Sequence, residues 1–133
     1  MALWNAGHGV WKNFLDITEE DVKGSVEGNI IAPFAFSREV ITAFKENTID
    51  ERGRRGTLLF TGATASIRGN VITSAFSAGK HALRALSQSL AKEFGKENIH
   101  VSVELRRGLL VLTKLRQLGG SCKSCNTLPN AGN

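Results

Sequence analysis

The stretch Thr57-Leu58-Leu59-Phe60-Thr61 decides the fold class, because a short continuous apolar run is typical of a strand buried on both faces. A loop rich in glycine and hydroxyl residues follows over residues 62–72. Residues 73–94 then show the clearest helical periodicity of the chain, with apolar side chains three, four and four apart at Leu83, Leu86, Leu90 and Phe94. Residues 99–103 form the next predicted strand. This order of strand, helix and strand predicts parallel strands joined by a helix.

The residues before this unit continue the alternation of strands and helices. Trp4–Gly9 is predicted to be the end of a strand followed by a glycine turn, and Thr18 is predicted to begin a helix because three acidic residues follow it. Pro33 is expected to separate this helix from a second one over residues 33–47, since proline pushes Ala32 away from helical angles. The second helix is expected to bury Phe34, Val40, Ile41 and Phe44. The predicted fold class is therefore α/β with a parallel sheet.

Charge divides the 133 residues into two parts. Residues 1–104 carry twelve basic and twelve acidic residues, whereas residues 105–133 carry five basic residues and no acidic one. We therefore predict a partial domain over residues 1–105 and a divergent, basic and disordered tail over residues 106–133. The balanced charge of the body gives no electrostatic reason to expect a nucleic-acid partner.

The sequence also argues against a membrane span and a metal site. The longest uninterrupted apolar stretch, residues 30–36, is far shorter than the roughly 20 residues that cross a bilayer. The first residues lack both the basic start and the apolar run of a signal peptide. Cys122 and Cys125 form a C-x-x-C pair without the further ligands that a zinc site requires. We expect a cytoplasmic protein with no metal and no membrane partner.

Three features, in order along the chain, resemble the short-chain dehydrogenase/reductase family. Asn5-Ala6-Gly7 is similar to the end of the family's Asn-Asn-Ala-Gly motif, and Asn29 lies 24 residues later, where the family has its catalytic asparagine. Phe76-Ser77-Ala78-Gly79-Lys80 lies where the family has Tyr-x-x-x-Lys, at the start of a long helix. The resemblance covers residues 3–105. It implies an N-terminally truncated member, with the later half only of a Rossmann-like, doubly wound parallel sheet.

The resemblance also implies a reaction and the residues that serve it. Members of the family bind NAD or NADP and transfer a hydride between the nicotinamide and a carbonyl or alcohol group. The family's catalytic positions correspond to Asn29, Lys80, Phe76 and Ala63, and its cofactor-binding positions to Asn5, Ala6, Gly7 and Lys80. Phenylalanine thus replaces the catalytic tyrosine, and alanine replaces the serine 13 residues before it. The chain contains no tyrosine, and it has no counterpart of the family's glycine-rich phosphate loop.

Other side chains are candidates for the missing proton donors. Three hydroxyl residues lie near the lost serine position: Thr61, Thr64 and Ser66. Loops of this kind more often use small polar residues to satisfy their own backbone. Three histidines could also replace an acid: His8, His81 and His100. His81 follows Lys80 directly, and the rotation of about 100° per helical residue directs it away from the site. We expect the histidines to be satisfied or exposed.

Partners and function follow from the same resemblance. In related proteins the two long helices, here residues 33–47 and 73–94, pack across a dimer interface, which implies a homo-oligomer. Three functions remain open: an atypical oxidoreductase that is inactive or incomplete as this chain, a non-catalytic pseudoenzyme that acts as a dimerising module, and a truncated or misread gene product without a stable fold. The sequence decides neither the substrate nor the choice between NAD and NADP.

Overall fold

A three-stranded parallel sheet forms the centre of the part that the computed structural model describes, residues 1–106. The strands are β1 (Ala2–Trp4), β2 (Gly56–Ala63) and β3 (Ile99–Arg106), and they lie in the order β1-β2-β3. Both strand pairs are parallel, so all three strands run in one direction. Trp4 of β1 is the register partner of Phe60 of β2, which in turn is the register partner of Val103 of β3. The predicted parallel α/β class is confirmed.

Three α-helices connect the strands in residues 1–106: α1 (Glu19–Val26), α2 (Ala32–Lys45) and α3 (Ser74–Phe94). The start of α1 is a capping box, in which Thr18 Oγ1 accepts from the Asp21 amide and the Asp21 carboxylate accepts from the Thr18 amide. A hydrogen bond from the Lys12 amine, together with those from Thr18, lowers the pKa of Asp21 to about 2. The predicted helix start at Thr18 is confirmed.

The junction between α1 and α2 corrects the expectation for Pro33. The backbone remains helical throughout, because Glu27–Ile31 forms a π-helical turn and Ala32 has φ −62° and ψ −42°. In this wider turn the Ala32 amide donates to the Glu27 carbonyl, five residues back. Pro33, which has no amide hydrogen to donate, lies in the first turn of α2, where proline is tolerated. The proline therefore follows a helical bulge rather than a break.

One hydrophobic core lies between the helices and one face of the sheet. Its buried members come from α2, β2, α3 and β3: Ile41, Phe44, Leu58, Phe60, Leu83, Leu86, Ile99 and Val101. Along β2, Leu58 and Phe60 are fully buried, whereas Leu59 between them is only half-buried. The prediction of a strand buried on both faces is thus wrong for this part of the chain. Phe34, also expected in the core, is 57% exposed because it lies on the outer side of α2.

The predicted boundary between the domain and the tail, which lies between residues 105 and 106, falls inside β3. Arg106, assigned to the tail, is the last residue of β3, and the rest of the predicted disordered segment lies outside the described residues. The C-x-x-C pair lies there too. Within residues 1–106, no helix has both the length and the apolar character needed to cross a membrane.

Candidate functional site

The candidate site lies where the parallel strands end. The loop after β1 begins at Asn5, and the loop after β2 leads through a 3₁₀ turn at Thr64–Ser66 to the start of α3. In open parallel sheets, ligands bind outside the carboxyl ends of the strands. Asn5, Ala6 and Gly7, the predicted cofactor-binding residues, are all exposed in the first of these loops.

Lys80 points from α3 towards the end of β2. Its Nζ donates to the Thr61 carbonyl at 3.2 Å, and only 7% of the residue is exposed. In residues 1–106 no carboxylate lies within ion-pairing distance of this amine. Burial lowers the pKa of Lys80, because the protein interior disfavours the charged form. Lys80 is therefore a desolvated amine rather than a solvated helix lysine.

Asn29 is fully buried in the π-helical turn between α1 and α2. Its Nδ2 donates to the carbonyls of His8 at 3.0 Å and of Ser25 at 3.1 Å, with a longer contact of 3.4 Å to Ser25 Oγ. These contacts tie the loop after β1 to the helix and fix the orientation of the amide. The amide oxygen, Oδ1, has no hydrogen-bond partner among the residues that the structure describes. A buried acceptor of this kind is costly unless a ligand or water pairs with it.

The side chains of Asn29 and Lys80 both approach Gly7. A Cβ atom added at Gly7 would lie 2.9 Å from Asn29 Oδ1 and 3.0 Å from Lys80 Nζ. An acceptor without a partner and an amine with unused hydrogens therefore lie beside the same exposed glycine. Only a residue without a side chain allows this approach. Of the residues predicted from the sequence, the structure thus assembles Gly7, Asn29 and Lys80.

Gly79 and Ser25 support this arrangement and were not identified from the sequence. A Cβ atom at Gly79 would lie 2.8 Å from Ser25 Oγ and 2.9 Å from both Cβ and Nδ2 of Asn29. Ser25 Oγ donates to the Ala75 carbonyl at 2.9 Å, which links α1 to α3. Small residues at these positions let α3 approach the π turn closely enough for Lys80 to reach Gly7. The contacts join residues 50 and more apart, so no local pattern indicates them.

Phe76 places an aromatic ring beside the amine, without a hydroxyl. Lys80 Nζ lies 5.9 Å from the centre of the Phe76 ring. The Phe76 ring also packs against Trp11, whose ring centre is 5.2 Å away at an interplanar angle of 40°. Phe76 can therefore pack against a ligand but cannot exchange a proton with it. Trp11, which is 61% exposed, is a further site residue that the sequence analysis missed.

Ala63 and its neighbouring hydroxyls do not restore the missing serine. The Ala63 amide donates to Ser66 Oγ at 3.1 Å, and Ser66 is almost completely buried. The Ser66 hydroxyl therefore satisfies the backbone at the end of β2. Thr61 contributes its carbonyl to Lys80. The Ser66 contact matches the expectation that the loop uses small polar residues for its own backbone, whereas that expectation stays a prediction for the hydroxyls of Thr61 and Thr64.

The histidines are placed as the sequence suggested. The ring of His8 packs over Gly24 of α1, where a Cβ atom would lie 3.0 Å from Nε2. His81 Nδ1 is 2.8 Å from the Ser77 carbonyl within α3. His100 is the register partner of Thr57, at the other end of the strands. None of these three contacts directs an imidazole towards Lys80.

Comparison with known proteins identifies relatives that share this arrangement of elements. A profile of the short chain dehydrogenase family matches residues 2–115, which extends beyond Leu105 into the predicted tail. An L-2,3-butanediol dehydrogenase of Corynebacterium glutamicum is 35% identical over 89 residues, which are 67% of this chain and 33% of that protein. The uncharacterized oxidoreductase YxnA of Bacillus subtilis is 31% identical over 101 residues, which are 76% of this chain and 27% of that protein. The chain thus spans about a third of the length of these relatives.

Solved structures show the same partial correspondence. A short-chain dehydrogenase from Rhodopseudomonas palustris superposes with a TM-score of 0.69 at 33% identity, covering 78% of this chain and 47% of that one. A 4-hydroxyisoleucine dehydrogenase complexed with NADH and succinate gives a TM-score of 0.66 at 27% identity, covering 76% and 45% of the two chains. The described residues are therefore part of a Rossmann-like fold. Because the family profile covers most of its length, the chain belongs to the short chain dehydrogenase family of oxidoreductases.

Proposed function

We propose that this chain carries the nicotinamide side of an NAD(P)-dependent short-chain oxidoreductase site and lacks the substrate side. One observation carries the proposal. Lys80 and Asn29 are buried together beside Gly7, whereas the two positions that would exchange a proton with the substrate hold Phe76 and Ala63. The side chains that would contact the coenzyme are thus present, whereas the side chains that would transfer a proton are absent.

The residues present fit the sugar next to a nicotinamide. Lys80 Nζ uses one hydrogen bond for the Thr61 carbonyl and has further hydrogens to donate, and Asn29 Oδ1 has none of its acceptor capacity used. A donor and an acceptor beside one exposed loop suit a group that carries hydroxyls. The loop Asn5-Ala6-Gly7 would cover it. When bound, the coenzyme supplies the hydride. The 4-hydroxyisoleucine dehydrogenase structure, which contains NADH, supports a coenzyme of this class.

The same site lacks a proton donor for carbonyl reduction. General acid–base catalysis by a positioned side chain contributes about 10²–10⁴-fold to the rate. Neither Phe76 nor Ala63 can take that role, and the nearby Ser66 hydroxyl, whose oxygen accepts from the Ala63 amide, is almost completely buried. We therefore infer that the chain is inactive, or nearly so, as an alcohol or ketone oxidoreductase. Its two cysteines form no disulfide framework, which favours the cytoplasmic location proposed for it.

A thermal melt of the purified chain with and without excess NADH or NADPH tests the coenzyme proposal. Ligand at about 100 times its dissociation constant adds about 2.7 kcal/mol to the free energy of unfolding, which raises the Tm of a domain of this size by several degrees. We expect a cooperative melt that shifts upward with one of the two coenzymes. A cooperative melt that does not move would contradict coenzyme binding and favour the interaction module. No cooperative transition would favour the fragment without a stable fold.

A groove between α2 and α3 supports the second candidate function, that of a non-catalytic dimerising module. Apolar side chains from both helices line it: Phe34, Ile41, Leu86, Leu90 and Phe94. We propose that a second copy of the chain packs against this groove, as expected for the helices over residues 33–47 and 73–94. Phe34 is the exposed member and can be changed without disturbing the core.

Sedimentation equilibrium tests this self-association. We expect a dimer for the unchanged chain and a monomer for Phe34→Arg, because a charge in the centre of an apolar contact is left without a partner. Ile49→Arg is the matched control, since Ile49 is similarly exposed but lies outside the groove. A monomer for the unchanged chain, or a dimer for both variants, would contradict the proposed interface.

A further inference from the structure

Two cavities lie at the amino-terminal ends of the strands, at the end of the sheet opposite to Lys80. The first, of about 490 Å³, is lined by Arg52, Arg54 and Arg55 together with residues at the start of β2. The second, of about 350 Å³, lies beside the start of β3 and is also lined by Arg52 and Arg54. Both volumes are in the range of small-molecule sites, about 300–1,000 Å³. The two cavities therefore share one pair of arginines.

The loop between α2 and β2 is built around a turn that presents this pair. Gly53 has φ +73°, and the Asp50 amide donates to the Arg54 carbonyl at 2.9 Å. Asp50 Oδ1 accepts from the amides of Arg52 and Arg54 at 2.9 and 2.8 Å. The loop is thus held by its own hydrogen bonds, so little order has to be gained when a ligand binds between the two side chains.

Arg55 is held by side-chain contacts as well. Its amide donates to the Asn98 carbonyl at 2.8 Å, which joins the loop to the turn before β3. Its Nη1 donates to the carbonyls of Asn47 at 2.6 Å and of Lys45 at 3.4 Å. A guanidinium group has five N–H donors, and no residue in the described part of the chain accepts from Nε or Nη2 of Arg55. Arg55 is therefore oriented and still has donors for a ligand.

Positive charge exceeds negative charge in the lining of the two cavities. Among the described residues, Asp50 is the one acidic residue that lines the first cavity, and none lines the second. Glu51, the other acidic residue of the loop, lines neither. Arg52 and Arg54 are exposed, and within residues 1–106 no carboxylate lies within ion-pairing distance of either side chain. The lining thus offers guanidinium donors without an anion to accept from them.

A phosphate group matches this lining better than a carboxylate. It has three acceptor oxygen atoms and a charge of about −1.5 to −2 at neutral pH, so it can accept from several guanidinium groups at once. One arginine already pairs with both oxygen atoms of a carboxylate. We propose that Arg52, Arg54 and Arg55 form a binding site for a small molecule that carries phosphate groups. The eight residues of β2, at about 3.3 Å each, separate this site from the proposed coenzyme site.

Isothermal titration calorimetry of the full chain with inorganic pyrophosphate tests the proposal, with sodium chloride keeping the ionic strength constant. We expect saturable binding to the unchanged chain. Arg52→Gln combined with Arg54→Gln should weaken the affinity at least about tenfold, because two charge-assisted donors are lost. Arg68→Gln combined with Lys92→Gln is the matched control, since both residues are exposed, line neither cavity and carry the same charge. Its affinity should equal that of the unchanged chain.

Three results of this titration would overturn the proposal. The first is the absence of saturable binding to the unchanged chain, and the second is an equal loss of affinity in the control. The third is full affinity in the Arg52 and Arg54 variant, because the anion would then bind elsewhere, for example to the basic residues 106–133. Gly7→Ala should leave the affinity for pyrophosphate unchanged. A loss there would place the anion in the coenzyme site instead and would also overturn the proposal.

A chemical measurement on the unchanged chain does not depend on the folding of any variant. Phenylglyoxal modifies exposed guanidinium groups, and peptide mass spectrometry assigns each modified arginine. Pyrophosphate at about ten times its dissociation constant should slow the modification of Arg52 and Arg54 about tenfold and leave the rate at Arg68 unchanged. Equal rates at Arg52 and Arg54 with and without pyrophosphate would contradict the proposed site.

Discussion

Phe60→Ala is expected to lower the free energy of unfolding by about 3–5 kcal/mol, the largest effect of any substitution considered for stability. Phe60 is fully buried in the middle strand, and its core cluster includes side chains from α2, α3 and β3. Truncation removes the transfer energy of the ring and leaves a cavity between the sheet and both helices. Single domains are stable by only about 5–15 kcal/mol, so this loss is a large fraction of the total.

Chemical denaturation followed by circular dichroism measures this loss. Phe34→Ala is the matched control, because Phe34 is the same residue type on the exposed side of α2 and should cost less than about 0.5 kcal/mol in the monomer. Equal losses in the two variants would contradict the described core. The comparison also tests whether the chain has a cooperative core at all, which the hypothesis of a misread gene product denies.

Gly7→Ala is expected to abolish the coenzyme binding proposed for Lys80 and Asn29 while leaving the fold intact. The new methyl group would lie 2.9 Å from Asn29 Oδ1 and 3.0 Å from Lys80 Nζ. The Asn29 amide is fixed by its contacts with His8 and Ser25, so the flexible end of Lys80 is expected to move. We expect the coenzyme-dependent rise in Tm to disappear.

Gly69→Ala is the matched control for this change. A Cβ atom at Gly69 has no heavy atom within 4 Å, and the residue lies in the exposed loop before α3. Its coenzyme response should equal that of the unchanged chain. If Gly7→Ala also leaves the coenzyme response unchanged, Gly7 does not border the coenzyme site and the proposed site is wrong.

The candidate site has a side that keeps the family's residues and a side that does not. The side formed by Gly7, Asn29 and Lys80 retains its residues and their close packing. The side that would face a substrate has Phe76 against Trp11 and Ala63 against Ser66, so neither of the family's two proton-exchanging positions carries a hydroxyl. The coenzyme binding proposed for this chain therefore does not require the lost acid.

Several elements could be predicted because their signals are local. The apolar run at Thr57–Thr61 and the spacing of Leu83 and Leu86 predicted β2 and α3 to within a few residues, and Thr18 marked the start of α1. The π turn at Glu27–Ile31 could not be predicted in this way. Its residues fit an ordinary helix locally, and what favours the wider turn is the proline that follows and the packing of Gly79 against Asn29.

Residue types and their spacing along the chain are enough to predict the parallel α/β class, the family's residue positions and the absence of both substrate-facing hydroxyls. They do not predict that Asn29 Oδ1 has no partner within residues 1–106, that Lys80 is desolvated and that both adjoin Gly7, because these facts depend on the fold. These properties arise where a strand end, a helical bulge and a distant helix are packed together. Burial and close contact depend on that packing, and residues far apart in the chain acquire them only when it folds.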